Sequence, residues 1–195
     1  SWMKLIRKFL FFISPLYYTV SFIRNLLYDT SLLKTTKFNL PVIGIGNLAI
    51  GGTGKSPMIE YLINLLSNEF DIATLSRGYG RKTNTFKIAT KDSSHFDIGD
   101  EPLQFYNKYD NLIVSVDNNR VNGIKNLLQI STPPEVILLD DSYQHRKLIP
   151  GLSILLSDYS NPYYDDYILP FGDLREPRSS SKRADIVIVT KCPNN

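Results

Sequence analysis

The sequence predicts an α/β fold in which a largely parallel β-sheet carries helices on both faces, giving three layers. Three observations predict it. Continuous apolar, β-branched runs recur from residue 41 onward, amphipathic helical segments separate them, and a glycine-rich loop joins the first run to the first helix. The 195 residues suffice for one domain with a core of its own.

The predicted elements follow one another in the order that such a fold requires. The glycine loop precedes a helix over about 55–66, and the segment RVNGIKNLLQI predicts a second helix from residue 120. Strands are expected where a short apolar run is bounded by turn residues. These runs are VIGIG (42–46), DIATLS (71–76), NLIVSVD (111–117), EVILLD (135–140), LSILLSD (152–158) and ADIVIVT (184–190).

The first 40 residues differ in charge from the rest of the chain. They hold six basic residues against one acidic residue, a balance of +5, so the other 155 residues contribute −2 to the net charge of +3. This distribution argues against a nucleic-acid-binding surface on the domain. The basic residues flank an apolar, aromatic-rich stretch that Pro15 and Arg24 make too short to span a bilayer.

This N-terminal stretch therefore predicts an amphipathic helix that lies on a membrane surface. Its apolar face would insert among the lipids, while its basic residues would be attracted to anionic headgroups. The alternative is a helix packed on the core of the domain itself. We assign residues 1–40 to the membrane-associating helix and residues 41–195 to the globular domain.

Cysteine usage excludes two classes of site. Cys192 is the one cysteine of the sequence, so neither an internal disulfide nor a zinc cluster built on cysteines can form. This usage fits a reducing compartment.

The glycine loop GGTGKSP (51–57) comes close to the P-loop pattern G-x-x-x-x-G-K-[ST]. The first glycine of that pattern is Ala49 here, a difference of one methyl group. In such a loop the backbone amides and the following helix N-terminus bind phosphate oxygens, the lysine reaches the β- and γ-phosphates, and the hydroxyl holds Mg²⁺. We therefore expect ATP or GTP phosphates to bind at Gly51, Gly52, Thr53, Gly54, Lys55 and Ser56.

An acidic strand end supports nucleotide binding. The apolar run EVILLDD ends in Asp140 and Asp141, as a Walker B strand does, and carboxylates in that place bind the magnesium ion of a nucleotide. Two acidic residues after a strand can also cap a turn. Together, the glycine loop and this strand end predict a P-loop NTPase-like domain with Ser56, Asp140 and Asp141 at a metal.

Four further clusters are unusual for plain loops: SRGYGRK (76–82), GDEP (99–102), DDSYQHR (140–146) and LPFGDLREP (169–177). With GGTGKSP, the basic N-terminal segment and VTKCP, they make the chain closely similar to the tetraacyldisaccharide 4'-kinase family from about residue 3 to residue 193. The resemblance implies a kinase that uses ATP and Mg²⁺ to phosphorylate a lipid A precursor. It also implies peripheral binding to the cytoplasmic face of a bacterial inner membrane.

The chain departs from the family pattern in three places. Ser56 stands where the family usually has threonine, which is chemically equivalent for Mg²⁺. Ser142 and Tyr143 stand where the family usually has glycine and phenylalanine, which predicts a slightly different turn. The resemblance also implies a second, smaller α/β domain, with a histidine that assists the catalytic acid, and we expect that domain to lie outside these 195 residues.

The resemblance assigns catalytic roles that fit phosphoryl transfer. Asp100 of GDEP matches the family's catalytic base, which accepts the proton of the sugar hydroxyl, although Gly-Asp-x-Pro is also ordinary turn chemistry. Glu101 is expected to be a supporting charge near the substrate. Arg175 and Glu176 match positions near the nucleotide and metal, where the arginine would neutralise transition-state charge and the glutamate would bind Mg²⁺. The alternative for this pair is a surface ion pair.

Basic side chains are the candidates for contact with the substrate. Arg77 and Arg81 flank glycines after a predicted strand, where α/β proteins place their ligands, and Arg120 is a further candidate. His145 follows the Walker B pair closely enough to reach the phosphates as a catalytic residue, or else it has a structural role. His95, in the polar stretch KDSSHFD, is expected to be exposed and without a role.

The motifs predict a nucleotide-binding domain, and the resemblance implies an ATP-dependent kinase that transfers the γ-phosphate to the 4'-hydroxyl of a tetraacyldisaccharide 1-phosphate. Its partners would be this lipid and an anionic membrane surface, with no nucleic acid and no protein partner. One alternative is a membrane-surface P-loop ATPase switch, but the MinD type carries an early loop lysine where Ile50 stands here. Another is a nucleotide-binding fragment of the kinase that is itself inactive.

Overall fold

The structure is a computed structural model that describes residues 14–193 of the chain. The described strands are β1 (Val42–Asn47), β2 (Ile72–Ser76), β3 (Lys87–Ile88), β4 (Ile113–Val116), β5 (Val136–Leu139), β6 (Leu152–Asp158) and β7 (Ile186–Thr190). They form one sheet in the order β3-β4-β2-β5-β1-β6-β7. Neighbouring strands in it are parallel, except that β3 pairs antiparallel with β4 at one edge. The predicted parallel sheet is confirmed.

Helices precede the first strand and occupy the connections between the strands, except those between β2 and β3 and between β5 and β6. They are α1 (Ser14–Asp29), α2 (Lys55–Leu66), α3 (His95–Ile98), α4 (Asp100–Lys108), α5 (Arg120–Leu127) and a 3-10 helix at Arg178–Arg183. The helix predicted over 55–66 is confirmed, and the one predicted from residue 120 ends a few residues earlier than its apolar pattern indicated.

The central strands of the sheet are buried on both faces, which confirms the three layers, whereas β7 at one side of the sheet is largely exposed. Alternate residues of β5 belong to different core clusters, as expected for a strand with two covered faces. On one face Ile59 and Ile63 of α2 and Phe105 of α4 pack against the strands. On the other face Ile124 and Leu127 of α5 do so.

The helix α4 was not predicted, because the GDEP cluster has the composition of a turn. In the structure Gly99 precedes this helix with a φ of 92°, and Asp100 and Glu101 form its first turn. Acidic side chains there are favoured by the helix dipole. Pro102 is tolerated because an N–H so close to the helix start has no partner within the helix.

The helix α1 packs on the domain through polar contacts. The hydroxyl of Tyr17 donates to the backbone oxygen of Arg175 at 3.1 Å, and the amide of Asn25 donates to the buried Glu176 at 3.2 Å. Near its end the helix also buries Tyr28, but five of its apolar side chains are exposed to solvent by 47–67%, namely Leu16, Val20, Phe22, Ile23 and Leu26. These residues therefore do not contribute to the domain core. No helix within residues 14–193 is long and apolar enough to cross a membrane.

The strand order determines which loops meet. β1 lies between β5 and β6, with Gly44 opposite Leu139 of β5 and Asn47 opposite Leu156 of β6. Because the carboxyl ends of parallel strands share one edge of the sheet, the loops that follow these strands lie side by side. The glycine loop after β1 therefore adjoins Asp140 and the segments that follow β6 and β7.

Candidate active site

The glycine loop between β1 and α2 has the open backbone that phosphate binding requires. Gly51 and Gly54 have φ values of 115° and 83°, and α2 begins at Lys55 without a side-chain cap. A Cβ added to Gly51 or Gly52 would meet no described atom within 4 Å. In the described part of the chain, the N–H groups of residues 51–56 make no hydrogen bond, so they remain available to an anion.

Lys55 connects the glycine loop to the end of β5. Its Nζ lies 3.4 Å from Oδ1 of Asn47, the last residue of β1, and 3.6 Å from Oδ1 of Asp141. Asn47 is fully buried, and its own amide donates to the backbone oxygen of Gly51 at 3.4 Å. The ammonium group is therefore held beside the loop before any phosphate binds.

The two acidic residues after β5 have different environments. Asp140 is buried, and its Oδ1 has no hydrogen-bond partner among the described residues. Burial, together with the charges of Glu101 and Asp141, raises the pKa of Asp140 to about 7. Burial also opposes ionisation of Asp141, but Lys55 and Arg175 outweigh it and lower its pKa. Asp141 thus pairs with Lys55 and Arg175, while Oδ1 of Asp140 is buried and has no partner among the described residues.

Ser56 and Glu101 bring further oxygen atoms to the same place. The hydroxyl of Ser56 donates a short hydrogen bond to Oε1 of Glu101, and Glu101 is close enough to Asp140 to affect its pKa. Hydroxyl and carboxylate oxygens suit a hard cation such as Mg²⁺. The unpartnered Oδ1 of Asp140 is consistent with such a ligand set. Within residues 14–193 no group of three or more His, Cys, Asp or Glu side chains could hold a metal by itself, so phosphate and water oxygens would complete the shell.

Asp100 lies at the N-terminal end of α4, and two glycines determine its position. A Cβ on Gly78 would come within 2.6 Å of the backbone oxygen of Ile98, and one on Gly99 within 2.7 Å of that of Tyr79. The loop after β2 is therefore in backbone contact with the turn before α4. The carboxylate of Asp100 is exposed and makes no hydrogen bond or ion pair to another described residue.

The two arginines of the loop after β2 differ in their hydrogen bonding. Arg81 donates to the backbone oxygens of Arg77 at 2.9 Å and Thr85 at 2.6 Å, and to Oδ1 of Asn118 at 3.3 Å. Its guanidinium thus cross-links the two ends of the loop that contains it. Arg77 is exposed, and its charge contributes to lowering the pKa of Arg120 and of His145. Of the two, Arg77 is the one available to a ligand.

Arg120 and His145 line a cavity of about 310 Å³ beside this site, where α1 meets the start of α5. Arg120 is 2% exposed and donates to the backbone oxygens of Asp117 at 2.7 Å and Asp140 at 3.2 Å. Its Nε has no partner in the part of the chain that is described. Burial lowers the pKa of Arg120 to about 10, so it remains a cation at neutral pH. Burial and the charge of Arg120 lower the pKa of His145 to about 4.

Three further cations line the cavity, namely Arg24, Arg146 and Lys147. Arg146 pairs with Asp29 at 2.5 Å and donates to the backbone oxygen of Asn25 at 2.9 Å. The cavity is thus strongly basic, and a histidine inside it is neutral at pH 7. We find no proton-donating role for His145 in this position.

Arg175 and Glu176 are neighbours in sequence but have different partners. Arg175 binds Asp141 at 3.2 Å and so belongs to the group around Lys55. The buried carboxylate of Glu176 pairs with Arg183 at 2.8 Å and accepts from Asn25 at 3.2 Å. The structure therefore brings Arg175, but not Glu176, into contact with the predicted site residues.

Sequence reasoning missed several residues that support the site. Asn47 beside Lys55 is one, since an asparagine that ends an apolar run carries no distinctive signal. Thr190 and Lys191, in the VTKCP cluster, also contact the glycine loop. That cluster contributed to the family resemblance, but nothing local indicated what it touches.

A family model and individual relatives identify the same protein family. The family model for LpxK, described as tetraacyldisaccharide-1-P 4'-kinase, matches residues 6–195. The tetraacyldisaccharide 4'-kinase of Flavobacterium johnsoniae is 55% identical over 193 residues, which are 99% of this chain and 57% of that protein. The enzyme of the same name from Bacteroides fragilis is 51% identical over 189 residues, covering 96% of this chain and 50% of the relative.

A solved structure has the same fold. LpxK from Aquifex aeolicus, described as an "apo" form in complex with ATP, superimposes with a TM-score of 0.88 at 37% identity. The match covers 95% of this chain and 59% of that one. The chain thus spans 50–59% of the length of these three proteins.

Proposed function

The chain belongs to the tetraacyldisaccharide-1-P 4'-kinase family, and from this membership and the geometry of the site we propose that it transfers the γ-phosphate of ATP to the 4'-hydroxyl of a tetraacyldisaccharide 1-phosphate. The observation that carries the proposal is the meeting of three groups at one sheet edge. These are the glycine loop with Lys55, the acidic pair after β5, and the start of α4 with Asp100 and Glu101.

The glycine loop would bind the phosphates of ATP. Its unpaired N–H groups and the uncapped start of α2 supply donors and a positive dipole end. Lys55 and Arg175 both pair with Asp141, so two cations would be available to neutralise the negative charge that develops on the transferred group. That the Aquifex aeolicus relative is described in complex with ATP supports this assignment.

Ser56, Asp140 and Glu101 would hold Mg²⁺, which when bound neutralises charge on the phosphate oxygens. The free buried oxygen of Asp140 supports its place in this set. Asp141 was also predicted as a ligand, but its carboxylate already pairs with Lys55 and Arg175. Since Glu176 pairs with Arg183, we do not include it among the proposed ligands.

Asp100 would act as the general base. Its carboxylate is exposed and, among the described residues, unpaired, so an entering hydroxyl group can reach it. It would accept the proton of the 4'-hydroxyl as that oxygen bonds to the γ-phosphorus and the bond to the β-phosphate oxygen breaks. The backbone contact between Gly78 and the turn at Ile98 holds this residue in place.

The basic cavity would receive an anionic group of the acceptor. Arg120 and His145 line it together with Arg24, Arg146 and Lys147, and Arg77 lies within electrostatic reach. An acceptor that already carries a phosphate offers such a group. On this proposal the predicted substrate residues Arg77 and Arg120 would contact the acceptor, whereas Arg81 hydrogen-bonds within its own loop and to Asn118.

The exposed apolar side of α1 would lie on the lipid surface from which the acceptor is drawn. Leu16, Val20 and Ile23 are exposed on a helix whose polar side is fixed to the domain. Lys34 and Lys37 follow the helix and are exposed as well. Apolar insertion next to basic residues is typical of helices that bind anionic membrane surfaces.

The dependence of ATP turnover on the acceptor tests the proposal. ADP release by this chain is measured with and without tetraacyldisaccharide 1-phosphate in mixed micelles, with Lys55→Ala as the inactive control. A kinase releases ADP when the lipid is present and little without it. ADP release at the same rate in both conditions would instead support an ATPase switch.

A further inference from the structure

The backbone oxygens of the glycine loop are hydrogen-bonded by the two residues at the end of β7. The hydroxyl of Thr190 donates to the backbone oxygen of Thr53 at 2.8 Å and approaches that of Ser157 at 3.3 Å. The ammonium group of Lys191 donates to the backbone oxygen of Gly52 and pairs with Asp158 at 2.6 Å. Two consecutive peptide groups of the loop are thus fixed from outside.

These contacts determine where the adjacent N–H groups point. The C=O and N–H of one trans peptide face opposite ways, so fixing the oxygen fixes the direction of the N–H. Lys191 therefore orients the N–H of Thr53, and Thr190 orients the N–H of Gly54. Glycine peptides rotate readily, and a loop with glycine at 51, 52 and 54 needs such external restraint to hold its donors in one arrangement.

The donors that provide this restraint are themselves held by neighbouring elements. Thr190 lies opposite Asp158 in the parallel β6–β7 pair, and its backbone oxygen accepts from the N–H of Tyr159 at 2.9 Å. Asp158 also accepts from the N–H and the hydroxyl of Ser160, and its hydrogen bonds, that from Lys191 foremost, lower its pKa to about 2. Lys191 adopts a φ of 57°, which turns its side chain out of the strand pattern.

We propose that Thr190 and Lys191 are positioning residues for the nucleotide, holding the N–H groups of Thr53 and Gly54 toward the ATP phosphates. The inference rests on the proposed function, since it requires the loop to bind phosphate. It concerns the phosphate chain of the nucleotide and not its base. Neither side chain need touch ATP itself.

The test compares binding of MgATP and of inorganic tripolyphosphate by calorimetry. Thr190→Val removes the hydroxyl at nearly constant volume, and Lys191→Met removes the ammonium group but keeps a similar length. We expect each to weaken both ligands by about tenfold, the usual effect of losing one well-made hydrogen bond. Thr190→Ser and Lys191→Arg should recover most of the affinity, and Lys91→Met, at an exposed site elsewhere, is the control.

Steady-state kinetics provide a second readout that loss of stability alone would not give. Because the loop binds ATP throughout the reaction, Thr190→Val and Lys191→Met should raise KM for ATP more than they lower kcat. Affinities within about twofold of the parent in both variants would overturn the inference while leaving the proposed kinase intact. A parent chain that binds neither MgATP nor tripolyphosphate would overturn both.

Discussion

The ammonium group of Lys55 lies 3.6 Å from the carboxylate of Asp141, although 86 positions separate the two residues in the sequence. The contact joins the glycine loop after β1 to the acidic end of β5, and Arg175 approaches the same carboxylate at 3.2 Å. A bound phosphate would therefore meet Lys55 and Arg175, two cations that Asp141 already holds by ion pairs.

Replacing Lys55 should abolish transfer. Lys55→Ala removes the cation beside the phosphate loop, and we expect kcat/KM for ATP to fall by about 100-fold or more. Steady-state ADP release in the presence of the acceptor measures this. Lys125→Ala, on the exposed side of α5, is the matched control. Turnover by Lys55→Ala at the level of this control would contradict the role of the loop.

Replacing Asp100 should separate binding from chemistry. Asp100→Asn keeps the shape of the side chain but cannot accept the hydroxyl proton, so we expect kcat to fall by about 100-fold or more while the affinity for ATP stays unchanged. Calorimetry gives the affinity, and labelled-phosphate transfer gives the rate. Asp92→Asn, in an exposed turn, serves as control. Weakened ATP binding with an intact rate would show that Asp100 is not the base.

His145 should make the folded state sensitive to acid. Burial and Arg120 lower its pKa in the folded chain to about 4, against 6.5 for an unperturbed histidine. Between these two values the unfolded state binds more protons, so the free energy of unfolding falls as pH is lowered from about 6.5 to about 4. The charges of Arg77 and Arg24 also lower the pKa of this ring, whereas the charge of Asp141 raises it, and the balance lies on the side of the neutral ring.

Between pH 7 and pH 4, titration of His145 should lower the free energy of unfolding by about 1–3 kcal/mol. His145→Gln should remove this contribution. Urea unfolding at pH 7 and at pH 4 measures it, with His95→Gln as the variant that removes an exposed histidine. If parent and His145→Gln lose the same stability between the two pH values, His145 is not buried as a neutral ring.

The exposed side of α1 should control binding to lipid vesicles. Replacing Val20, Ile23 and Leu26 by glutamine removes apolar area that faces solvent, so it should leave the domain folded and weaken binding by at least about tenfold. Sedimentation with vesicles of phosphatidylglycerol and phosphatidylethanolamine measures this. Glutamine at the exposed Leu65 and Leu128 is the control. Unchanged sedimentation of the α1 variant would contradict the membrane-facing role.

The sequence was most informative where burial is continuous. β2 and β5 are buried along their whole length, so their apolar runs identified them and placed Asp140 and Asp141 at the edge of the sheet. The pattern of the glycine loop gave the start of α2, because the loop residues and the helix are contiguous. These local signals account for the predicted fold and for the core of the site.

Long-range contacts were not predictable from the sequence. Nothing local distinguishes Arg175, which reaches Asp141, from Glu176, which turns to Arg183. Nor does the sequence indicate that Lys191 reaches the backbone of Gly52, since the two are brought together by the order β1-β6-β7 in the sheet. The two-residue strand β3 is too short to leave a pattern. Side-chain direction and strand order decide these contacts, and neither is encoded in a short segment.

The position of the transferred phosphate is the most direct test of the proposed kinase activity. ATP labelled at the γ-phosphate is incubated with tetraacyldisaccharide 1-phosphate in mixed micelles, and the lipid product is analysed by phosphorus NMR. We expect label on the lipid as a new monoester at the 4'-position with the parent chain, and none above background with Lys55→Ala. ATP that is bound but leaves its label only on inorganic phosphate would contradict the proposed kinase activity.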